Sequence, residues 1–170
     1  MDKFNTYYFK EAEEKSKEMN ELKIFLDMDG VITNFTKALD DLKIKEKGMS
    51  QEEFWAAIKD KGGLEFWEDM EWMPNAKKLW NYIKKYNPTI LTSPARSTYS
   101  KEGKMLWIAR ELGKDVPYIF DKDKFKYATQ NSILIDNEEK NINDWIKADG
   151  IGILHKYPEK TIEELKRYGF

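Results

Sequence analysis

Cysteine is absent from this chain of 170 residues, and histidine occurs once, as His155. Disulfides, thiolate metal sites and cysteine nucleophiles are therefore excluded, as is a zinc centre built on several histidines. Long apolar runs are missing as well. No stretch approaches the ~20 residues of a membrane span, and the N-terminus opens on charged Asp2 and Lys3 without the apolar segment of a secretory signal. The expectation is a soluble, cytoplasmic protein with no membrane partner. Nor does either sign of charge prevail: 29 Lys and Arg against 31 Asp and Glu leave a net charge of −2. No global basic field draws in a long nucleic acid, although a local basic pocket is compatible with that balance.

Aromatic residues, by contrast, make up 14% of the chain and include six Trp, more than a solvated, disordered chain carries. The length fits one domain with a small inserted unit. Short apolar runs at 22–27, 89–92, 116–120, 132–136 and 151–154 read as strands. Helical patterns fall at 75–86, 101–112, 123–130, 138–148 and 160–168, and a polar, helix-prone stretch at 5–20 precedes the first strand. Thr161 and Glu164 have the spacing of a capping box for the last helix. This alternation predicts an α/β fold, a parallel sheet with helices on both faces. Residues 34–73 interrupt the rhythm. They are helical and rich in aromatics, with a second capping-box pattern at Ser50 and Glu53 and a stop at Gly62-Gly63. The domain reading is a core of 1–33 and 74–170 with a small helical cap, 34–73, inserted after the first strand.

The most informative segment is Ile24-Phe25-Leu26-Asp27-Met28-Asp29-Gly30-Val31, an apolar run that delivers two aspartates onto a glycine turn. Alternate side chains of a strand share a face, so both carboxylates can converge as the strand ends. Their repulsion needs a cation, a proton or a substrate to offset it. A calcium loop is disfavoured, because Val31 stands where a further oxygen ligand belongs. The spacing points instead to a metal-assisted site in which one carboxylate attacks and the other handles protons. Two later runs end in suitable chemistry, Ile90-Leu91-Thr92-Ser93-Pro94 and Ile133-Leu134-Ile135-Asp136-Asn137, and Lys104 and the Lys122/Lys124/Lys126 group lie between them. Ligands of open α/β sheets bind outside the carboxyl ends of the strands, where all three runs terminate.

Taken in this order, these strings resemble the haloacid dehalogenase (HAD) superfamily of aspartyl-phosphate phosphohydrolases, and within it the 5′(3′)-deoxyribonucleotidase family. The likeness rests on Leu26-Asp27-Met28-Asp29-Gly30-Val31 with Phe35, Pro74-Asn75-Ala76, Thr92-Ser93-Pro94, Gly103-Lys104 with Trp107-Ile108 and Leu112-Gly113, Asp123-Lys124 and Leu134-Ile135-Asp136-Asn137. It implies a Rossmann-like, three-layer, doubly wound parallel sheet with a small helical cap. It also implies roles. Asp27 would take the phosphoryl group; Asp29 would protonate the leaving alcohol and then activate water. Thr92, Ser93 and a lysine would hold the phosphate, with Lys124 the better match, Lys104 second, and Lys122 and Lys126 alternatives. Mg²⁺ would bind the Asp27 carboxylate, the Asp29 carbonyl and an acidic or amide side chain from Asp136-Asn137. Phe35, Trp55 and Trp67 would stack on the base of a nucleoside monophosphate.

One departure concerns the metal: the family carries paired aspartates where this chain has Asp136-Asn137, which implies weaker Mg²⁺ affinity. The rival readings are another HAD phosphatase, acting on a sugar phosphate or a polynucleotide 3′ end, and a non-catalytic HAD-like module that binds a phospho-ligand or a partner. Residues 1–20 lie outside the resemblance, and a docking helix or a homodimer contact are the two roles considered for them.

Overall fold

The structure, a computed structural model, describes residues 22–95 and 97–170. Five strands form one parallel sheet: β1 (Lys23–Leu26), β2 (Thr89–Thr92), β3 (Tyr118–Phe120), β4 (Ser132–Asp136) and β5 (Ile151–Leu154), in the order β3-β2-β1-β4-β5. β1 lies at the centre, with Leu26 beside Ile90 of β2 and Ile135 of β4. The order reverses there, because successive strands build outward first on one side of β1 and then on the other. Such a switch point leaves a crevice at the carboxyl ends of the strands.

Strand periodicity divides the core into two layers. Ile24, Leu26, Ile90, Ile133, Ile135 and Ile153 join the larger apolar cluster, while Phe25, Leu91, Leu134 and Leu154 pack with Ile142 and Trp145 in a smaller one. Alternate residues thus face opposite helix layers, and the runs read as continuously apolar because both sides are covered. Helix α4 (Ala76–Ile83) buries Ala76, Leu79, Trp80 and Ile83, one stripe at helical spacing. Helix α6 (Glu139–Lys147) buries Ile142 and Trp145 on the opposite face. Helix α5 (Thr98–Glu111) follows β2, and α7 (Pro158–Arg167) closes the chain. Among the described residues no helix is long and apolar enough to cross a membrane.

Residues 34–73 hold three helices, α1 (Phe35–Asp41), α2 (Gln51–Lys61) and α3 (Glu65–Glu68). The stretch leaves and re-enters the sheet domain at one place, since the Asn34 amide donates to the Glu71 carbonyl and the Met73 amide to the Ile32 carbonyl, both at 2.8 Å. The capping box at Ser50 forms: its hydroxyl accepts from the Glu53 amide at 3.2 Å, and the Glu53 carboxylate accepts from the Ser50 amide at 2.7 Å. Gly62 then ends α2.

Several expectations shift. The helix expected at 123–130 is only a 3₁₀ turn, Lys124–Tyr127, because Lys124 is drawn inward to buried carboxylates and Ala128 is already extended. The last helix starts at Pro158 rather than 160, with proline in the first turn where no amide is needed. Thr161 is therefore inside the helix, its hydroxyl 2.8 Å from Nδ1 of buried His155, and caps nothing. Helix α5 begins at Thr98, ahead of the expected 101, where the Ser97 hydroxyl accepts from the Tyr99 amide. The expected helix at 5–20 lies outside the described residues.

Candidate active site

The segment after β1 is a tight turn pinned on one carbonyl: the amides of Val31, Ile32 and Thr33 all donate to the Met28 oxygen, at 2.9 to 3.1 Å. Met28, Val31 and Ile32 are buried, which leaves the alternate residues Asp27 and Asp29 at the end of the sheet. Gly30 has φ +81°, and a Cβ there would lie 2.5 Å from the Asn137 amide nitrogen. Glycine is thus required twice, for the left-handed backbone and for the approach of the β4 loop.

Each aspartate meets its own lysine. Lys104, fully buried on α5, donates to Asp29 Oδ2 at 2.6 Å, to Thr92 Oγ1 at 2.9 Å and to the Ser93 carbonyl at 3.1 Å. Lys124 donates at 2.6 Å both to Asp27 Oδ1 and to Asp136 Oδ2. Asp29 also accepts from the Thr33 hydroxyl at 3.1 Å. The alternatives to Lys124 fall away, since Lys126 pairs with Asp121 and Asp123 at the surface and Lys122 is exposed. Burial pushes the Asp27 carboxyl up to about 7 against the pull of Lys124, with repulsion from Asp136 and Asp29 adding to the rise. Burial works against the Lys124 ammonium, but the two carboxylates outweigh it and raise its affinity for the proton.

Both oxygens of Asp136 are engaged. Oδ1 accepts from the Glu138 amide at 2.8 Å, and Oδ2 accepts from Lys124 and, at 3.0 Å, from the Asn141 side chain. It anchors Lys124 rather than presenting a free ligand. Asn137 differs: its Oδ1 is buried and has no hydrogen-bond donor, the only such side-chain atom among the described residues. An acceptor left in that condition is costly unless a cation or water occupies it. No three His, Cys, Asp or Glu side chains are grouped to hold a metal among the described residues. The donor set that remains is the Asp27 carboxylate, the Asp29 carbonyl and Asn137 Oδ1, all hard oxygen donors of the kind Mg²⁺ takes beside its retained waters. The set fits that ion with one charged ligand.

The aromatic residues of 34–73 gather beside the lysine. The Phe35 and Trp67 ring centroids are 5.8 Å apart, Trp55 stacks on Trp67 at 6.4 Å and 23°, and Lys104 Nζ lies 5.3 Å from the Trp67 ring. Trp67 is only 2% exposed and forms a wall against Lys104, which leaves the half-buried Phe35 and Trp55 as the rings with open area. Trp72 belongs to the structure, its indole donating to Glu111 at 2.8 Å. Sequence reasoning assigned no part to Thr33 or Asn141, which orient Asp29 and Asp136. Their only signal is a polar side chain four or five residues past an aspartate at a strand end.

No family model matches the chain, and no curated protein matches it. Solved structures do. A hydrolase from Streptococcus pneumoniae TIGR4 superposes with a TM-score of 0.53 at 11% identity, covering 86% of this chain and 98% of its own. A haloacid dehalogenase-like family hydrolase from Xanthomonas campestris gives 0.56 at 11% identity over 87% of this chain and 92% of that one. A predicted phosphatase from Clostridium acetobutylicum gives 0.50 at 15% identity, over 86% and 90%. At these identities the likeness is one of fold: a Rossmann-like α/β domain of the kind found in HAD hydrolases.

Proposed function

We propose that this chain is a Mg²⁺-dependent phosphomonoesterase that hydrolyses (deoxy)ribonucleoside monophosphates through an aspartyl-phosphate on Asp27. The observation that carries the reading is the pairing at the strand ends: Asp27 on Lys124 and Asp29 on Lys104, each at 2.6 Å, with Lys104 also donating to Thr92 at 2.9 Å. An arrangement built only for stability has no need of two buried lysines and three carboxylates around a glycine turn, since buried ion pairs contribute little net stability.

In this reading an Asp27 oxygen attacks phosphorus and the ester P–O bond breaks. Asp29 gives its proton to the departing alkoxide, then takes a proton from the water that attacks phosphorus and releases Asp27 and inorganic phosphate. The incoming phosphoryl oxygens compete with Asp29 for the Lys104 ammonium, which frees Asp29 for proton transfer as the substrate docks. Thr92 and Ser93 complete the phosphate cradle. Asp27, the Asp29 carbonyl and Asn137 Oδ1 would hold a divalent cation, which would supply electrophilic neutralisation of the phosphate charge.

The nucleotide assignment is supported by the half-buried rings of Phe35 and Trp55, with buried Trp67 packed behind them and unable to stack on a base itself, since stacking contributes ~1–3 kcal/mol. The test is phosphate release from dTMP, dUMP and UMP with Mg²⁺ or EDTA, beside Asp27→Asn. Mg²⁺-dependent release that the variant lacks is the expected result. Undiminished release by Asp27→Asn refutes the covalent route, and release from p-nitrophenyl phosphate alone removes the nucleotide. Phe35→Ala or Trp55→Ala is expected to raise KM for the nucleotide more than for p-nitrophenyl phosphate; equal effects would return both rings to a packing role.

A further inference from the structure

Charge in this pocket is out of balance for a divalent cation acting alone. Among the described residues the carboxylates of Asp27, Asp29 and Asp136 and the ammoniums of Lys104 and Lys124 converge there in ion pairs. With all five groups ionised, one net negative charge is left. Both lysines are nearly or fully buried, as are Asp27 and Asp136, and only Asp29 is part exposed, so water screens a mismatch poorly. A dication alone turns the pocket net positive. A phosphate dianion alone makes it three times as negative. Together they return it to a single negative charge.

The residues that follow Asp136 reinforce this. Asn137 Oδ1 is the buried acceptor without a donor, and Asn141, whose side chain reaches Asp136, is an amide as well. At position 137 a carboxylate would have added a second charged ligand for a cation, and the chain carries an amide there. Both oxygens of Asp136 are already engaged, Oδ2 by Lys124 and Asn141 and Oδ1 by the Glu138 amide. The number of charged ligands sets affinity at oxygen-donor sites, and this site offers one, Asp27.

We propose that cation and phosphate bind here as a coupled pair, each weakly alone, and that the neutral oxygen of Asn137 enforces the coupling. The proposal rests on the phosphatase reading for the identity of the anion. Its consequence is that free protein stays largely unloaded with Mg²⁺, and the ion enters with, or is retained by, a phosphate group. Coupling of this kind is reciprocal, so each ligand must tighten the other by the same factor.

The test is calorimetric titration of the full chain with MgCl₂ in the absence and presence of inorganic phosphate, the reverse titration, and the same pair on Asn137→Asp. In the wild type, phosphate is expected to tighten Mg²⁺ by about tenfold or more, and Mg²⁺ to tighten phosphate equally. Asn137→Asp is expected to bind Mg²⁺ alone about tenfold more tightly, with the coupling reduced. Equal Mg²⁺ affinity of the wild type with and without phosphate overturns the proposal, even if the variant fails to fold. Should that result accompany normal Asp27-dependent hydrolysis, the coupling is refuted and the phosphatase reading stands. Absence of binding by either ligand in any combination, together with absence of hydrolysis, refutes both.

Discussion

Lys124 serves two carboxylates with one ammonium, and its pull on Asp27 is outweighed by burial. Burial holds the Asp27 carboxyl near 7, whereas attack on phosphorus needs the anion. Activity should therefore fall as pH drops through that region. A cation on the same carboxylate favours the anion, so the acid limb of kcat/KM should move to lower pH as Mg²⁺ is raised; profiles at two Mg²⁺ concentrations check this. The one histidine gives a second pH effect, on stability. Burial lowers His155 from 6.5 to about 4. The unfolded chain then binds a proton that the folded chain refuses. Stability from this group is complete above 6.5 and is lost as pH falls toward 4, by roughly 3 kcal/mol at most. His155→Gln should unfold in urea with a shallower pH dependence over that interval. An unchanged slope would mean that the ring is solvated.

Gly103 and Lys104, adjacent on α5, do separate work for one contact. A Cβ on Gly103 would lie 2.4 Å from Trp67 Cβ, 2.9 Å from the Leu64 carbonyl and 3.0 Å from the Glu68 amide, so only glycine lets α3 lie against α5. That approach sets Trp67 over the Lys104 ammonium. Gly103→Ala gains about 1 kcal/mol of helix propensity but must displace backbone, and overpacking costs ~1–3 kcal/mol. The clash should win: the variant is expected to be less stable in urea and to lose activity as Lys104 shifts, and a stabilised, fully active variant would show that α3 is free to move. Legibility at this scale follows the range of the interactions. The strands could be read because β4, Ser132-Ile133-Leu134-Ile135-Asp136, is buried along its whole length and every residue type agrees with that. The capping box at Ser50 was legible because it closes within four residues. The 3₁₀ turn at Lys124 was not, because its shape answers to Asp27, which is 97 positions away. The same holds for the site. The strand-end aspartates stand out in the sequence, but the partition of Lys104 to Asp29 and Lys124 to Asp27 is a matter of tertiary placement.

Over the whole molecule, the insertion and the sheet share one core. Phe54, Ile58, Phe66, Trp67 and Met70 from residues 34–73 belong to the same buried cluster as Ile24, Leu26, Ile90 and Ile135. Polar contacts sew the seam: the Trp107 indole on α5 donates to the Met70 carbonyl at 2.7 Å, and Arg110 to the Glu68 carbonyl at 2.6 Å. Trp107 is fully buried, so removing the insertion would bare it and orphan its N–H at once. A cap that swings as a rigid body would need its own core and a thin waist, and this arrangement supplies only the waist, at the paired segments 32–34 and 71–73. The two parts should therefore unfold together. Far-ultraviolet circular dichroism, which reports all the helices, and tryptophan fluorescence, weighted toward Trp55, Trp67, Trp72 and Trp107 near the seam, are expected to give coincident urea transitions. Replacing 35–72 by a short Gly-Ser linker should leave a chain without cooperative unfolding. A folded, cooperative remainder would show instead that the sheet domain stands alone and that the insertion is an independent lid, in which case substrate admission would be controlled by its swing and not by the aromatic wall it presents to Lys104.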